Sequence, residues 1–240
     1  MPTNLDSSFS VYHLVERLHN IKTQLLQDRK TMNVISYEIE NATIIDQAKT
    51  RIFSSFQRMS RFLPQVKRYE KLAKNAESIY VFGIPDVKVP EIENITYIPI
   101  EPHFQLAKEW FLVSFGKPFA SALATQELSH IDDPDNTRQF RGVWTFDPGM
   151  VAILEEWLTR IVDAESQLVA EDDVDLTNKD KLVANIYNRM MRRIGTNTLQ
   201  PTLEKRAVPV IPKTDTKENL RVVIRETLQP LVYSSKMIEY

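Results

Sequence analysis

Residues 140–149 carry two local signals that together predict a strand running directly into a helix. Phe140, Trp144 and Phe146 occur at even spacing, so in a strand their side chains lie on one face. Asp147 can accept backbone N–H hydrogen bonds at a helix start, and the proline that follows it suits the first helical position. The segment predicts an aromatic strand leading into a capped helix, which suits either an ordinary packed corner or a docking place for a ligand or partner.

The rest of the chain predicts helices at both ends and strands between them. Hydrophobic periodicity predicts helices at residues 8–29, 44–61, 65–76, 148–169, 179–194 and 217–228. It predicts strands at residues 32–40, 79–83, 95–100, 110–115 and 140–146, while 119–125 fits either a hairpin strand or a short helix. This order favours an α+β fold with a mixed, largely antiparallel sheet of about five or six strands, flanked by helices and followed by a mostly helical C-terminal extension.

An acidic run at residues 171–175 predicts a linker and a domain boundary. We expect an N-terminal helix at 1–30, an α+β domain at 31–170 and a helical extension at 171–240. Within the extension, residues 196–216 are rich in proline and threonine, which indicates an extended connector with one edge strand near 207–211.

Composition excludes several classes of protein. The hydrophobic fraction is 42%, the charged fraction is 26% and the formal net charge is -2, which is typical of a soluble globular protein and gives no reason to expect a nucleic-acid partner. No apolar run approaches the ~20 residues of a membrane span, and the first residues lack the pattern of a signal peptide. We therefore expect a cytoplasmic protein.

The absence of cysteine removes disulfides, thiolate nucleophiles and cysteine-ligated metals. The five glycines are not spaced as a phosphate-binding loop requires. We expect no cofactor from these motifs.

Two of the predicted helices carry apolar residues at alternating spacings of three and four. This spacing is typical of a helix–helix seam, which could form a homodimer through helices 8–29 and 148–169 or could simply cover the sheet. The residues of the two seams are Val11, Leu14, Leu18, Ile21 and Leu25, and Val151, Leu154, Leu158, Ile161 and Leu168.

Neither the histidines nor the arginines form a strong chemical motif. His103 and His130 each have carboxylates nearby, but one histidine per cluster is a weak pattern for a metal site. Arg189, Arg192 and Arg193 form a basic cluster that suits a solvated helix end better than a nucleic-acid surface.

The aromatic residues of the predicted strands suit either the core or an aromatic-lined cleft for a planar small molecule or a partner side chain. With the nearby carboxylates they define six candidate residues for ligand or partner binding, and no catalytic or metal residues. The six are Phe82, Asp86, Glu109, Trp110, Trp144 and Asp147.

Three ordered motifs resemble the DICT sensory domain, a family named from diguanylate cyclases and two-component systems. The motifs are Ile79-Tyr-Val-Phe-Gly-Ile-Pro-Asp86, Glu109-Trp-Phe-Leu-Val113 and Phe140-Arg-Gly-Val-Trp-Thr-Phe-Asp-Pro148. The resemblance covers roughly residues 45–165. The family is widespread in cyanobacteria, among other bacteria, and has been proposed to act in light-linked signalling.

The resemblance implies a stand-alone, non-enzymatic sensor or adaptor of the cyanobacterial type that acts through a signalling protein partner. The Gly-Gly loop of a diguanylate cyclase is absent from the sequence, so the resemblance implies no output activity of that kind. The alternative hypothesis is a small-molecule enzyme or cofactor carrier that uses the aromatic cleft with Asp86, Glu109 and Asp147.

Overall fold

The computed structural model describes residues 5–18, 25–130, 133–134, 136–165 and 176–203. The helices are α1 (Val11–Leu18), α2 (Arg29–Ile44), α3 (Met59–Phe62), α4 (Val66–Ala73), α5 (Pro148–Ile161) and α6 (Leu176–Leu203), with short 3-10 turns at Leu63–Gln65 and Gln105–Lys108. The strands are β1 (Leu25–Asp28), β2 (Arg51–Arg58), β3 (Ser78–Ile84), β4 (Ile95–Pro99), β5 (Glu109–Gly116), β6 (Phe119–Glu127) and β7 (Gln139–Thr145).

The strands form one mixed sheet of seven, counted over the described residues, in the order β1-β7-β6-β5-β2-β3-β4. Pairing is antiparallel from β1 through to β2 and parallel across β2, β3 and β4. The predicted α+β class and largely antiparallel sheet are confirmed. Residues 119–125, which the sequence left open, form β6 and pair with β5 across the tight turn at Gly116.

Helices cover both faces of the sheet, and two hydrophobic cores lie between the layers. On one face α1 and α5 pack against a core that includes Phe53, Phe82 and Phe111. On the other face α2, α3, α4 and the first half of α6 pack against the aromatic side chains of β7 and their neighbours. Alternate residues of β2, β3 and β5 contribute to opposite cores, as strand geometry requires.

The predicted strand at 32–40 is wrong, because this segment lies within α2. Asp28 caps the helix by accepting a hydrogen bond from the Thr31 backbone N–H at 2.7 Å. The buried residues Met32, Ile35 and Ile39 follow the helical period of three and four. Because polar side chains lie between these apolar residues, the sequence shows an apparent alternation of apolar and polar positions, which is typical of a strand.

The predicted helix at 44–61 is also wrong, because β2 occupies residues 51–58 within this segment. The strand is central in the sheet, and Arg51 through Ser55 are all buried. A strand buried on both faces lacks the alternation of apolar and polar residues that identifies a half-exposed strand. The polar members are held by neighbours: Arg51, for example, pairs with Glu155 of α5 at 2.9 Å.

The first predicted helix is too long, since α1 ends at Leu18 and residues 25–28 form β1 beside β7. The helix predicted at 148–169 ends at Ile161. Most described seam residues are buried inside this chain: Val11, Val151, Leu154, Leu158 and Ile161. The seams thus cover the sheet, and the homodimer stays a prediction.

The chain divides into two compact units, residues 1–195 and 196–240. Of the second unit the structure describes only the end of α6, residues 196–203, where the sequence predicted an extended connector. The predicted linker at 171–175, edge strand at 207–211 and helix at 217–228 lie outside the described residues. The proposed domain boundaries stay predictions.

Candidate functional site

The six sequence-predicted site residues do not converge on one site. Phe82 is fully buried, and its ring packs edge-on against Phe111 with centroids 5.5 Å apart. Asp86 lies at the surface and accepts hydrogen bonds from the backbone N–H and hydroxyl of Ser60, at 2.9 and 2.5 Å. Asp147 caps α5 by accepting a hydrogen bond from the Met150 N–H at 3.0 Å. All three have structural roles.

Glu109 is fully buried and caps the N-terminus of α1 from the sheet. Its carboxylate accepts hydrogen bonds from the Ser10 hydroxyl at 2.5 Å, the Val11 N–H at 2.9 Å and the Tyr12 N–H at 3.1 Å. Burial raises the pKa of this carboxyl to about 7, although these hydrogen bonds act in the opposite direction. Glu109 thus fixes α1 to β5.

Trp110 and Trp144 are half-buried on the same face of the sheet but belong to different neighbourhoods. The Trp110 indole N–H donates to the Ser36 hydroxyl at 3.2 Å. The Trp144 indole N–H donates to the Ser121 hydroxyl at 3.1 Å, and its ring lies 5.0 Å from Phe146. Of the six predicted residues, all of which the structure describes, Trp110 alone lines the cleft described next.

A cleft lies between α2 and the sheet, lined by parts of β2, β5, α3 and α4 together with Arg138. We call it the α2–sheet cleft. Its cavity volume is about 40 Å³, enough for a few water molecules, and with the solvent at its mouth it spans about 570 Å³. The walls are aromatic, formed by Tyr37, Phe56, Tyr69, Trp110 and Phe111.

Two buried hydroxyl groups in the cleft lining are unsatisfied. Ser54 of β2 and Tyr69 of α4 are 3% and 1% exposed, and neither hydroxyl has a hydrogen-bond partner within the described part of the chain. The two lie close to each other and to the Glu40 carboxyl. Because buried polar groups are nearly always satisfied in folded proteins, this pair indicates a site that a ligand or water completes.

The α2 side of the cleft is an ion pair in an aromatic setting. Glu40 is buried and binds the guanidinium of Arg68, which also donates to the Tyr37 carbonyl at 2.8 Å and lies 4.4 Å from the Tyr37 ring centroid. Burial raises the pKa of Glu40, and Arg68 offsets this only in part. Burial raises the pKa of Tyr69 well above its usual value, and the charge of Glu40 adds to the effect.

The far end of the cleft is built on a β-bulge at Gln57. Register with β3 shifts between Ser55 and Arg58, and Gln57 adopts a left-handed backbone with φ of 64° although it is not glycine. Bulges redirect side chains, often beside functional sites. Here the Gln57 amide donates to Glu127 at 2.8 Å and accepts from Arg138.

Arg138 and Glu127 form a buried bidentate ion pair behind this bulge. The guanidinium Nε and Nη2 donate to the two carboxylate oxygens at 2.6 and 2.8 Å, and Arg138 is 1% exposed. Burial acts to raise the pKa of Glu127, but the hydrogen bonds from Arg138 and Gln57 outweigh it and lower the pKa. The network makes this wall of the cleft rigid.

The arginines of α6 were interpreted as a solvated helix end, and this is wrong for two of them. Arg189 donates to buried Glu38 of α2 at 2.5 Å and to Asp46 at 2.9 Å. Arg193 contacts the same Glu38 carboxylate at 2.9 Å. With buried Leu182, these contacts dock the first half of α6 on α2. Thus α2 lines the cleft and also packs against α6.

The chemistry available in the cleft is binding chemistry. Among the described residues, no group of three or more His, Asp or Glu side chains could hold a metal ion. Within that same part of the chain, no helix is long and apolar enough to cross a bilayer. The cleft combines hydroxyl groups, guanidinium groups and aromatic walls, which are the groups that small-molecule sites use.

Sequence reasoning missed most of the cleft, because its residues come from distant segments. Ser54 and Tyr69 carry no motif, and Ser54 lies in a segment predicted to be helical. Glu127 and Arg138 did offer a signal: opposite charges flank the polar loop that joins β6 to β7. That pair could have been predicted as an ion pair closing the loop.

Comparison with known proteins identifies the family. A model described as a sensory domain in diguanylate cyclases and two-component systems, DICT, matches residues 8–128, just over half of the 240 residues. The match begins and ends earlier than the predicted range of 45–165, so the third motif, at 140–148, lies outside it.

Other comparisons are weaker. No curated protein gives a significant match. A crystal structure of polyphosphate kinase from Porphyromonas gingivalis matches with 14% identity and a TM-score of 0.36, over 75% of this chain and 31% of the kinase chain; so low a score carries no argument. The family match alone is decisive, and it shows that the chain belongs to the DICT family of sensory domains.

Proposed function

We propose that this chain is a non-enzymatic sensory or adaptor module of bacterial signal transduction. Its input is a small ligand in the α2–sheet cleft, and its output is a contact with a partner protein. Membership of a sensory family supports the general role. The observation that supports ligand binding is the pair of buried, unsatisfied hydroxyls of Ser54 and Tyr69.

The proposed route from input to output runs through α2. On one side α2 presents Ser36, Tyr37 and Glu40 to the cleft. On another side Glu38 binds Arg189 of α6 at 2.5 Å. A ligand that displaces α2 therefore alters the surface on which α6 packs, and coupling of this kind needs only a differential affinity for two positions of α2.

Exposed apolar residues of α1 and α5 support the proposed protein contact. Leu18 is 47% exposed, Ile153 38% and Trp157 45%, and the Trp157 ring lies 6.3 Å from that of Phe9. Aromatic and aliphatic side chains on a surface are the groups that protein interfaces bury. We propose that a signalling partner or a second copy of the chain binds there.

A light-linked role remains part of the proposal, with the light signal arriving through the partner. Direct light sensing needs a chromophore, and the sequence has no cysteine that could attach one through a thioether. A visible absorbance band in the purified protein would contradict this arrangement.

Native mass spectrometry of the protein purified from its natural host tests the ligand. We expect a retained small molecule that is lost on denaturation. The Ser54→Leu variant fills the void and should lose the molecule, whereas the Ser60→Ala control, at an exposed site outside the cleft lining, should keep it. Absence of any retained molecule in both the wild type and the control contradicts the proposed input.

Two further measurements test the output. Hydrogen exchange of α6 should differ between ligand-bearing and ligand-stripped protein; identical exchange contradicts the route through α2. Size-exclusion chromatography with light scattering tests self-association, and a strictly monomeric protein at high concentration rules out the second copy as the partner. In that case we expect the Trp157→Ala variant to co-purify less of the signalling partner from the natural host than the wild type does.

A further inference from the structure

The outer face of α5 combines exposed apolar side chains with one acid and one base. Four residues at spacings of three and four share this face, namely Ile153, Glu156, Trp157 and Arg160. Both apolar members are exposed, whereas the apolar residues on the opposite face of α5 are buried against the sheet. Apolar and aromatic side chains beside charged ones are the composition of a protein interface.

The ring of Trp157 is already ordered on this face by its neighbours. The Phe9 ring centroid lies 6.3 Å away, and the Arg160 guanidinium lies 5.8 Å from the centroid of the indole. An ordered side chain loses little conformational freedom on binding, and tryptophan is among the residues that contribute most to interfaces. Trp157 therefore suits the centre of a contact made by α5.

The charges beside Trp157 distinguish between possible occupants of the face. Glu156 and Arg160 contact each other along the helix, with side chains 42% and 66% exposed, so the pair gives the face no net charge. An exposed ion pair of this kind contributes little within one helix, and its members can pair across an interface instead. The pair does not attract a strongly charged partner, but one acid beside one base can complement a copy of the same surface.

Two copies of α5 use this pattern when they pack antiparallel about a two-fold axis beside Trp157. In a two-fold contact each surface meets the same surface of the other copy. Reversing the helix direction brings Glu156 of one copy opposite Arg160 of the other, and it does so twice. The same operation places the two Trp157 rings next to each other at the centre. Parallel packing brings Glu156 toward Trp157 of the other copy and leaves the charges unpaired across the contact.

Building on the proposed contact with a partner protein, we infer that the partner is a second copy of this chain, bound through antiparallel α5 helices. The helix has 14 residues and is therefore about 21 Å long. One helix face of this length gives a small interface, so the dimer is weak. The population of a weak dimer is one that a modest change in the sensory domain can shift.

Sedimentation velocity of the full-length protein, from low to high micromolar concentration, tests the inference. We expect a dimer whose population rises with concentration. Trp157→Ala should weaken association about tenfold or more, because it removes the central aromatic side chain of the contact. The matched control is Tyr187→Ala, which removes an exposed aromatic side chain of α6 and should leave the dimer unchanged.

Charge reversal tests the antiparallel arrangement. Glu156→Arg gives the face two bases and Arg160→Glu gives it two acids, so each variant alone should be monomeric. An equimolar mixture of the two variants should form a heterodimer, because each base then lies opposite an acid. A dimer that persists in either variant alone, or a mixture that stays monomeric, overturns the antiparallel pairing.

The outcomes separate this inference from the proposed function. A wild type that stays monomeric, or a dimer that Trp157→Ala leaves intact, overturns self-association through α5. If the wild type is monomeric and Trp157→Ala co-purifies less of another protein from the natural host, the proposed partner contact stands and its occupant is not a second copy. If the wild type is monomeric and no co-purified protein depends on Trp157, both the inference and the proposed contact fail.

Discussion

Replacing Glu109 with glutamine should remove a pH dependence of stability that this one residue gives the protein. Glu109 is fully exposed in the unfolded chain and fully buried in the native one. Its pKa is about 7 in the native state, against an ordinary value of 4.5. The cause is burial at the start of α1, where three hydrogen-bond donors offset only part of the desolvation.

The sign and size follow from proton linkage. Between pH 4.5 and 7 the native Glu109 keeps a proton that the unfolded chain has released, so the contribution of this residue to stability is fully present below pH 4.5 and is lost as pH rises through about 7. The gap of about 2.5 pH units corresponds to about 3 kcal/mol, at about 1.4 kcal/mol for each unit. Such a loss is a large part of a typical stability of about 5–15 kcal/mol.

Urea denaturation of the wild type and of Glu109→Gln at several pH values measures this effect. From pH 5 to pH 8 the wild type should lose about 2–3 kcal/mol relative to the variant, whose amide stays neutral throughout. Glu156→Gln, on the exposed face of α5, changes the same charge at the surface and serves as the control. A difference between wild type and Glu109→Gln that is flat with pH, or that grows in favour of the wild type, refutes the reasoning.

Three further predictions concern local contacts. Asp147→Ala should destabilise the protein by about 1 kcal/mol in thermal or urea unfolding, because it removes a helix cap; Asp147→Asn should retain most of the stability, and an unchanged Asp147→Ala would contradict the capping role. Gly142→Ala should cost about 2–3 kcal/mol or more, since a Cβ atom there would lie 2.2 Å from the Ala124 carbonyl oxygen; wild-type stability of this variant would show that the strands separate easily. Arg189→Met should cost about 1–3 kcal/mol by weakening the ion pairing of buried Glu38, and hydrogen exchange should rise along α6; unchanged exchange would show that apolar contacts alone hold the helix.

The errors in the predicted fold occur where polar residues are buried. In α2, Ser36, Glu38 and Glu40 are all buried beside the apolar residues, and their partners come from β5, α6 and α4. A local pattern treats such residues as solvent-facing. It therefore read a helix with buried polar groups as an alternating strand.

The strand β2 shows the opposite effect. Both faces of this strand are buried, and the adjacent serines Ser54 and Ser55 are buried on opposite faces. The sequence therefore lacks the alternation of apolar and polar residues by which a half-exposed strand is predicted. Segments with one buried face and one exposed face were predicted as helices correctly, as in α4 and α5, although α5 ends eight residues earlier than predicted. The bounds of β7, at an alternating aromatic run, also agree closely.

The candidate site was less predictable than the fold. Of the six predicted residues Trp110 lines the cleft and the other five lie elsewhere, and a binding role for any of them stays a prediction. The unsatisfied hydroxyls of Ser54 and Tyr69 can be recognised only in the folded structure, because a hydroxyl is unsatisfied when no partner lies near it in space.

The sequence by itself determined the α+β class, the aromatic strand with its capped helix and the family, since each depends on local periodicity or on ordered motifs. Only the tertiary structure decided which polar side chains are buried, which of them are paired and where a void is left between α2 and the sheet. The physical reason is that burial depends on contacts between segments that are distant in the sequence. Tyr69 of α4 and Ser54 of β2 lie in the same cleft, and no local sequence pattern predicts that they come together.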